Sequence, residues 1–293
     1  MGRVALGLAL AVMFSTRCWA AGEEVEITPD VVYGHKDGMA LTYDVFRPNE
    51  NANGLGVLFM VSGGWYSRWS PPESRQAFFK PMLDRGFTVL AVRHGSAPRY
   101  KVPEAVADVR LAVRHIRLHA ADYRIDPERL GVYGMSAGGH LSLALATTAD
   151  AGDPAAKDQV LRQSSRVAAA VAYYPPSDLR AWVTGEDPKM RTDYPALQFE
   201  PNLADDVSPL LHVTQDDAPT LLIHGDKDLL VPIEHSLNQR AAMEKAGVPC
   251  ELITIEGAAH GFKGEDAQRA LKAQVAWFEK YLGAGGRVVG KDQ

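Results

Sequence analysis

Eight short apolar runs, rich in β-branched residues and bounded by Gly, Pro, Asn or Asp, recur along this chain. They fall at 31–33, 40–46, 56–61, 87–92, 130–133, 167–173, 220–224 and 251–255. Longer amphipathic stretches separate the later ones, at 73–85, 103–121, 137–148, 233–246 and 266–282. The helical period is clearest in the second, where Val106, Val109, Val113 and Ile116 are interleaved with charges behind Pro103, a residue suited to a first helical turn. Strands alternating with helices predict an α/β chain with an eight-stranded, mostly parallel sheet flanked by helices. The first two runs follow each other without a helix, which predicts an antiparallel hairpin at one edge.

Residues 1–20 break this pattern. Arg3 precedes an apolar stretch over 4–14, and Ser15-Thr16-Arg17 leads to Cys18-Trp19-Ala20. A positive start, an apolar segment well short of the roughly 20 residues a spanning helix needs, and small residues at its end predict an export signal cleaved after Ala20. Localisation is therefore expected to be periplasmic or secreted. Cys250 would then be the sole cysteine, which excludes an internal disulfide. A net charge of −5 lacks the basic footprint of a nucleic-acid binder. Nine histidines are present, but none shows metal-ligand spacing with a carboxylate, so no metal is expected. A long Pro- and charge-rich stretch, 178–218, is expected as a cap-like insertion after the sixth strand, and 283–293 reads as a flexible end.

The chemistry concentrates in Gly134-Met135-Ser136-Ala137-Gly138-Gly139, between a strand and a helix. A serine at so sharp a turn needs small neighbours, and the turn leaves its hydroxyl exposed at the carboxyl edge of the sheet. A hydroxyl is a poor nucleophile, so it needs a base, and the base needs an orienting carboxylate. Both occur downstream at the ends of strands: Asp226 and Asp228 in Gly225-Asp226-Lys227-Asp228-Leu229-Leu230-Val231-Pro232, and His260 in Ala259-His260-Gly261-Phe262.

These residues, with Asp126-Pro127-Glu128-Arg129-Leu130 leading into the serine turn, resemble the α/β-hydrolase superfamily. The likeness is greatest to a secreted esterase group that includes bacterial feruloyl and acetyl-xylan esterases and shares motifs with the prolyl oligopeptidase catalytic domain. The resemblance implies one domain over 21–293, a triad of Ser136, Asp228 and His260, and no cofactor. It selects Asp228 over Asp226 by matching His-Gly-x-x-Asp-x-x-Val-Pro. Where such esterases carry His-Gly-Gly, this chain has Ser62-Gly63-Gly64-Trp65. The oxyanion hole is accordingly expected from the amide of Ala137 and that of Gly64 or Trp65. One such donor is worth roughly 2.7–4 kcal/mol in the transition state. Trp65, Tyr66 and Trp182 are expected to offer flat faces to an aromatic acyl group or a sugar. The implied activity is hydrolysis of carboxylic esters through an acyl-enzyme, on a small-molecule or polysaccharide substrate. A serine peptidase and a non-catalytic binding protein on the same scaffold remain alternatives.

Overall fold

Runs of apolar residues with almost no polar partner can only be satisfied by burial on two faces. The computed structural model, which describes residues 24–185 and 188–283, does this for the central strands. The export-signal segment 1–20 and residues 284–293 of the expected tail lie outside the described residues. In chain order the strands are β1 (Val25–Lys36), β2 (Met39–Pro48), β3 (Gly56–Met60), β4 (Thr88–Val92), β5 (Leu130–Met135), β6 (Ala169–Tyr173), β7 (Thr220–Gly225) and β8 (Cys250–Ile255). They form one sheet in the order β1-β2-β4-β3-β5-β6-β7-β8. β3 to β8 are parallel, while β2 is antiparallel to both β1 and β4.

The helices are α1 (Gln76–Leu83), α2 (Val102–Leu118), α3 (Ala137–Thr147), α4 (Arg180–Thr184), α5 (Pro188–Asp193), α6 (Glu234–Ala246) and α7 (Gly264–Leu282). Side chains alternate across a strand, so each central strand feeds two cores. Val57, Phe59 and Val61 pack with Phe79 of α1 and Trp277 and Phe278 of α7. Leu58 and Met60 face the other way, onto Val109 and Val113 of α2 and Leu141 of α3.

The expected hairpin is present but far longer than 31–33 suggests. β1 begins at Val25 and carries Glu26, Thr28, Asp30, His35 and Lys36, with a shift in pairing between Thr28 and Val31. An edge strand has one solvated side, so its polar residues hide it from a reading based on apolar runs. Asp37 and Gly38, both at positive φ, form the two-residue turn that joins it to β2.

The stretch 178–218 is built from α4, α5 and three short 3-10 turns that each start on a proline. Leu179, Trp182, Val183, Met190 and Leu197 are buried in the same core as α2 and α3, so its helices are anchored to the domain. Its Tyr194 ring lies directly over Gly64.

Candidate active site

The turn after β5 is held by two glycines at which any side chain would force the backbone to shift. A Cβ on Gly134 would lie 2.4 Å from the Gly138 backbone, and one on Gly138 would lie 2.8 Å from the Met60 carbonyl oxygen. These contacts bring the start of α3 against the ends of β5 and β3. Ser136 itself sits at φ 55°, ψ −119°, a region that ordinary residues avoid. Its N–H donates to the Tyr173 carbonyl at 2.9 Å, which ties the strained turn to the end of β6. The hydroxyl is left half-buried at the carboxyl edge.

The loops after β7 and β8 reach that same edge because the two strands run parallel to β5 in adjacent register. Ser136 Oγ lies 2.9 Å from His260 Nε2, and His260 Nδ1 lies 2.7 Å from Asp228 Oδ2. A carboxylate only accepts, so Nδ1 carries the proton and Nε2 accepts from the serine hydroxyl. Asp228 is fixed independently of the imidazole, since its Oδ1 accepts the N–H groups of Leu230 and Val231, both at 2.9 Å. Burial alone would push the Asp228 carboxyl up. Hydrogen bonds from His224, His260 and the Val231 amide outweigh that and hold it well below the usual carboxylate range. Asp226 faces elsewhere and accepts the Gly257 N–H at 2.6 Å, bracing the turn after β8.

Gly64 and Trp65 are successive residues at positive φ, 56° and 59°. They form the centre of a tight reversal in which Gly63 and Tyr66 exchange both backbone hydrogen bonds, 3.1 and 3.0 Å. In such a turn the two central N–H groups are not used by the turn itself. Among the described residues no hydrogen bond engages the amide of Gly64 or Trp65, and Ala137, as the first residue of α3, has no acceptor within its helix.

Ser62, at the start of the Gly63-Gly64-Trp65 turn, is paired with an imidazole. His94, from the end of β4, places Nε2 2.9 Å from Ser62 Oγ while its Nδ1 bonds the Gly95 carbonyl at 2.9 Å. A carbonyl only accepts, so Nδ1 donates and Nε2 accepts the Ser62 proton. Burial lowers His94 to about 4, which keeps this tautomer neutral. Ser67 Oγ adds a second staple, donating to the Val61 carbonyl and accepting the His94 N–H.

Two of the aromatic expectations are corrected. The Trp65 ring is 3% exposed and points into the core, where its Nε1 donates to His140. Trp182 is 8% exposed and packs edge-on against His235. Both belong to the α2–α3 core, because a loop anchored by apolar side chains must bury its largest ones. Tyr66 is half-buried and lines a shallow cleft with Ser62 and Gly63, its ring under the Arg68 guanidinium at 5.5 Å.

Of the aromatics that the sequence crowds above the serine, the ring that reaches the site follows the sixth strand. Tyr174, directly after β6, packs edge-on against His260 with ring centroids 4.5 Å apart. Burial and the Asp228 charge push its phenol up to about 12. Its place at a strand's carboxyl end is the signal that finds it.

Comparison with known proteins finds esterases among those similar to this chain. A family model described as BD-FAE matches residues 43–243. Over 218 residues the chain is 29% identical to the probable carboxylic ester hydrolase LipM of Mycobacterium tuberculosis, a match covering 71% of this chain and 49% of that protein. Esterase LipQ of the same organism is 29% identical over 232 residues, covering 75% and 53%. The chain thus spans about half the length of these relatives. Among solved structures, an acetyl ester-xyloside bifunctional hydrolase from Caldicellulosiruptor lactoaceticus superposes with a TM-score of 0.73 at 25% identity, covering 86% of this chain and 95% of that one. Propionate-bound esterase 2 of Thermogutta terrifontis gives 0.71 at 28%, covering 89% and 95%.

Proposed function

The chain belongs to the BD-FAE family, within the α/β-hydrolase superfamily, and on that premise we propose that it is a serine hydrolase of carboxylic esters. The observation that carries the proposal is the hydrogen-bonded relay from Asp228 through His260 to Ser136, at 2.7 and 2.9 Å. The names of LipM, LipQ and the two solved relatives support the choice of an ester as substrate.

In the proposed reaction Ser136 Oγ attacks the ester carbonyl carbon and its proton passes to His260 Nε2. The carbonyl oxygen becomes an oxyanion, met by the Ala137 N–H and by the free amide of Gly64 or Trp65. Collapse breaks the bond to the alcohol, which leaves with the proton from Nε2. Water then attacks the acyl-enzyme, gives a proton to Nε2, and the tetrahedral species releases the acid as Ser136 regains its proton. Asp228 keeps the imidazole in the required tautomer throughout. No step calls on a cofactor.

Acyl esters of plant polysaccharides are the proposed natural substrates, supported by the likeness to the acetyl ester-xyloside hydrolase. Export through residues 1–20 is proposed from their sequence pattern. Hydrolysis of p-nitrophenyl acetate, acetylated xylan and methyl ferulate, beside a panel of peptide amides, tests the reading. Ester turnover and labelling by a fluorophosphonate should both vanish in Ser136→Ala. A wild type that is not labelled, or that prefers amides, would overturn it.

A further inference from the structure

The cleft beside the Gly64-Trp65 turn has a volume of about 390 Å³, within the range of roughly 300–1,000 Å³ typical of small-molecule sites. Ser62 and Gly63 line it, so it adjoins the turn that carries the unused amides. The same backbone packs on the serine turn, since a Cβ on Gly138, two residues after Ser136, would lie 3.4 Å from the Ser62 carbonyl oxygen. Phe59 and Val61 give the cleft apolar surface, and Arg68 and Arg75 bring two guanidiniums to it.

Neither guanidinium pairs with a carboxylate among the described residues. Arg75 is half-buried and held in place, with Nε donating to Ser70 Oγ at 3.0 Å and Nη2 to the Arg68 carbonyl at 3.3 Å. Its Nη1 has no hydrogen-bond partner among the described residues. Arg68 is exposed, and its guanidinium lies over the Tyr66 ring without donating a hydrogen bond among those residues.

The acids nearby are engaged elsewhere. Asp44 is buried with both oxygens on Arg93, and Asp30 accepts from Arg93 and from Trp69 Nε1. Glu73 lines a separate groove with Lys80. Burial and then the Arg93 charge lower Arg75, with the Asp44 charge opposing them. In a chain of net charge −5, two unpaired guanidiniums facing one cleft are not the by-product of a basic surface. A partly buried cation without a counter-ion is costly, and an anion in the cleft would remove that cost.

We propose that Arg68 and Arg75 form an anion subsite that selects esters carrying a carboxylate on one arm. This rests on the ester-hydrolase reading for the bond that breaks, while the two arginines supply the selection. A guanidinium meets a carboxylate through two parallel N–H···O bonds, and such charge-assisted bonds are roughly twice as strong as neutral ones. An acylated acidic sugar belongs to this class of substrate, and an acylated neutral sugar does not.

The test compares esters that differ only in a terminal carboxylate or its neutral amide. On the acyl arm the pair is monomethyl adipate and methyl adipamate, and on the alcohol arm it is 4-acetoxybutanoate and 4-acetoxybutanamide. In one pair or the other, kcat/KM should favour the carboxylate by at least about tenfold. Arg75→Gln and Arg68→Gln should each bring that ratio towards one, and high salt should narrow it in the wild type. Arg68 is exposed and donates to no other residue described, so its variant decides the matter should Arg75→Gln fail to fold. Binding of 6-hydroxyhexanoate, followed by calorimetry, should exceed that of 6-hydroxyhexanamide and lose its advantage in both variants. Ester turnover with no preference for the carboxylate in either pair, or with a preference that both variants keep, would overturn the subsite. Arginine-dependent binding of 6-hydroxyhexanoate to a protein that turns over no ester would keep the subsite and sink the hydrolase reading instead.

Discussion

The Ser62 hydroxyl donates to Nε2 of His94 at 2.9 Å, joining the turn that carries the Gly64 and Trp65 amides to the end of the neighbouring strand β4. If that bond positions the turn, His94→Phe should lower kcat on p-nitrophenyl acetate by about tenfold with little change in KM, less than the ~100-fold or more that follows outright loss of a donor. Ser62→Ala should do the same, and the double variant should be no worse than either single one, since both remove one interaction. Additive losses would mean that the two residues act separately.

Asp228→Asn should reduce kcat by about 10⁴. An asparagine keeps one oxygen for the Leu230 and Val231 amides, but then presents an NH₂ group to His260 Nδ1 and forces the wrong tautomer. Asp226→Asn should stay within about threefold of wild type, because Asp226 braces only the Gly257 turn. Steady-state rates for the two variants decide which carboxylate serves the imidazole; the reverse ranking would displace Asp228.

Acid should weaken the fold before it protonates most carboxylates. Burial lowers both His94 and His140 to about 4. His140 has no acceptor to spare for a second proton, since Nε2 donates to the Val207 carbonyl and Nδ1 accepts from Trp65. Unfolded imidazoles titrate near 6.5, so between about pH 6.5 and 4 the unfolded chain binds more protons and stability falls as pH falls. At its steepest, near pH 5, the two groups contribute roughly 2–2.5 kcal/mol per pH unit. Urea midpoints at pH 7.5 and pH 5 measure this, and equal midpoints would contradict it.

Gly134→Ala should cost about 1–3 kcal/mol and lower kcat as well. Its Cβ would meet backbone 2.4 Å away, so α3 must shift and carry Ser136 with it. Unfolding at the wild-type urea concentration would show that the turn tolerates the methyl group.

Much of this architecture was legible along the chain because local patterns report local burial. β3, β4 and β6 read as unbroken apolar runs, and α2 showed its period through Val106, Val109, Val113 and Ile116. The edge strand β1 was largely hidden, since half its side chains face water and its polar residues carry no strand signal.

Chain order and glycine spacing by themselves determined that Ser136, Asp228 and His260 leave the carboxyl ends of parallel strands, because strand direction follows from strand–helix alternation. Only the tertiary structure decided which way the aromatic rings turn. It sends Trp65 and Trp182 inward and sets Tyr174 on His260. It also brings His94 to Ser62 from the end of a different strand. A ring's direction depends on which neighbours fill the space beside it, and those neighbours come from distant segments that no local pattern specifies.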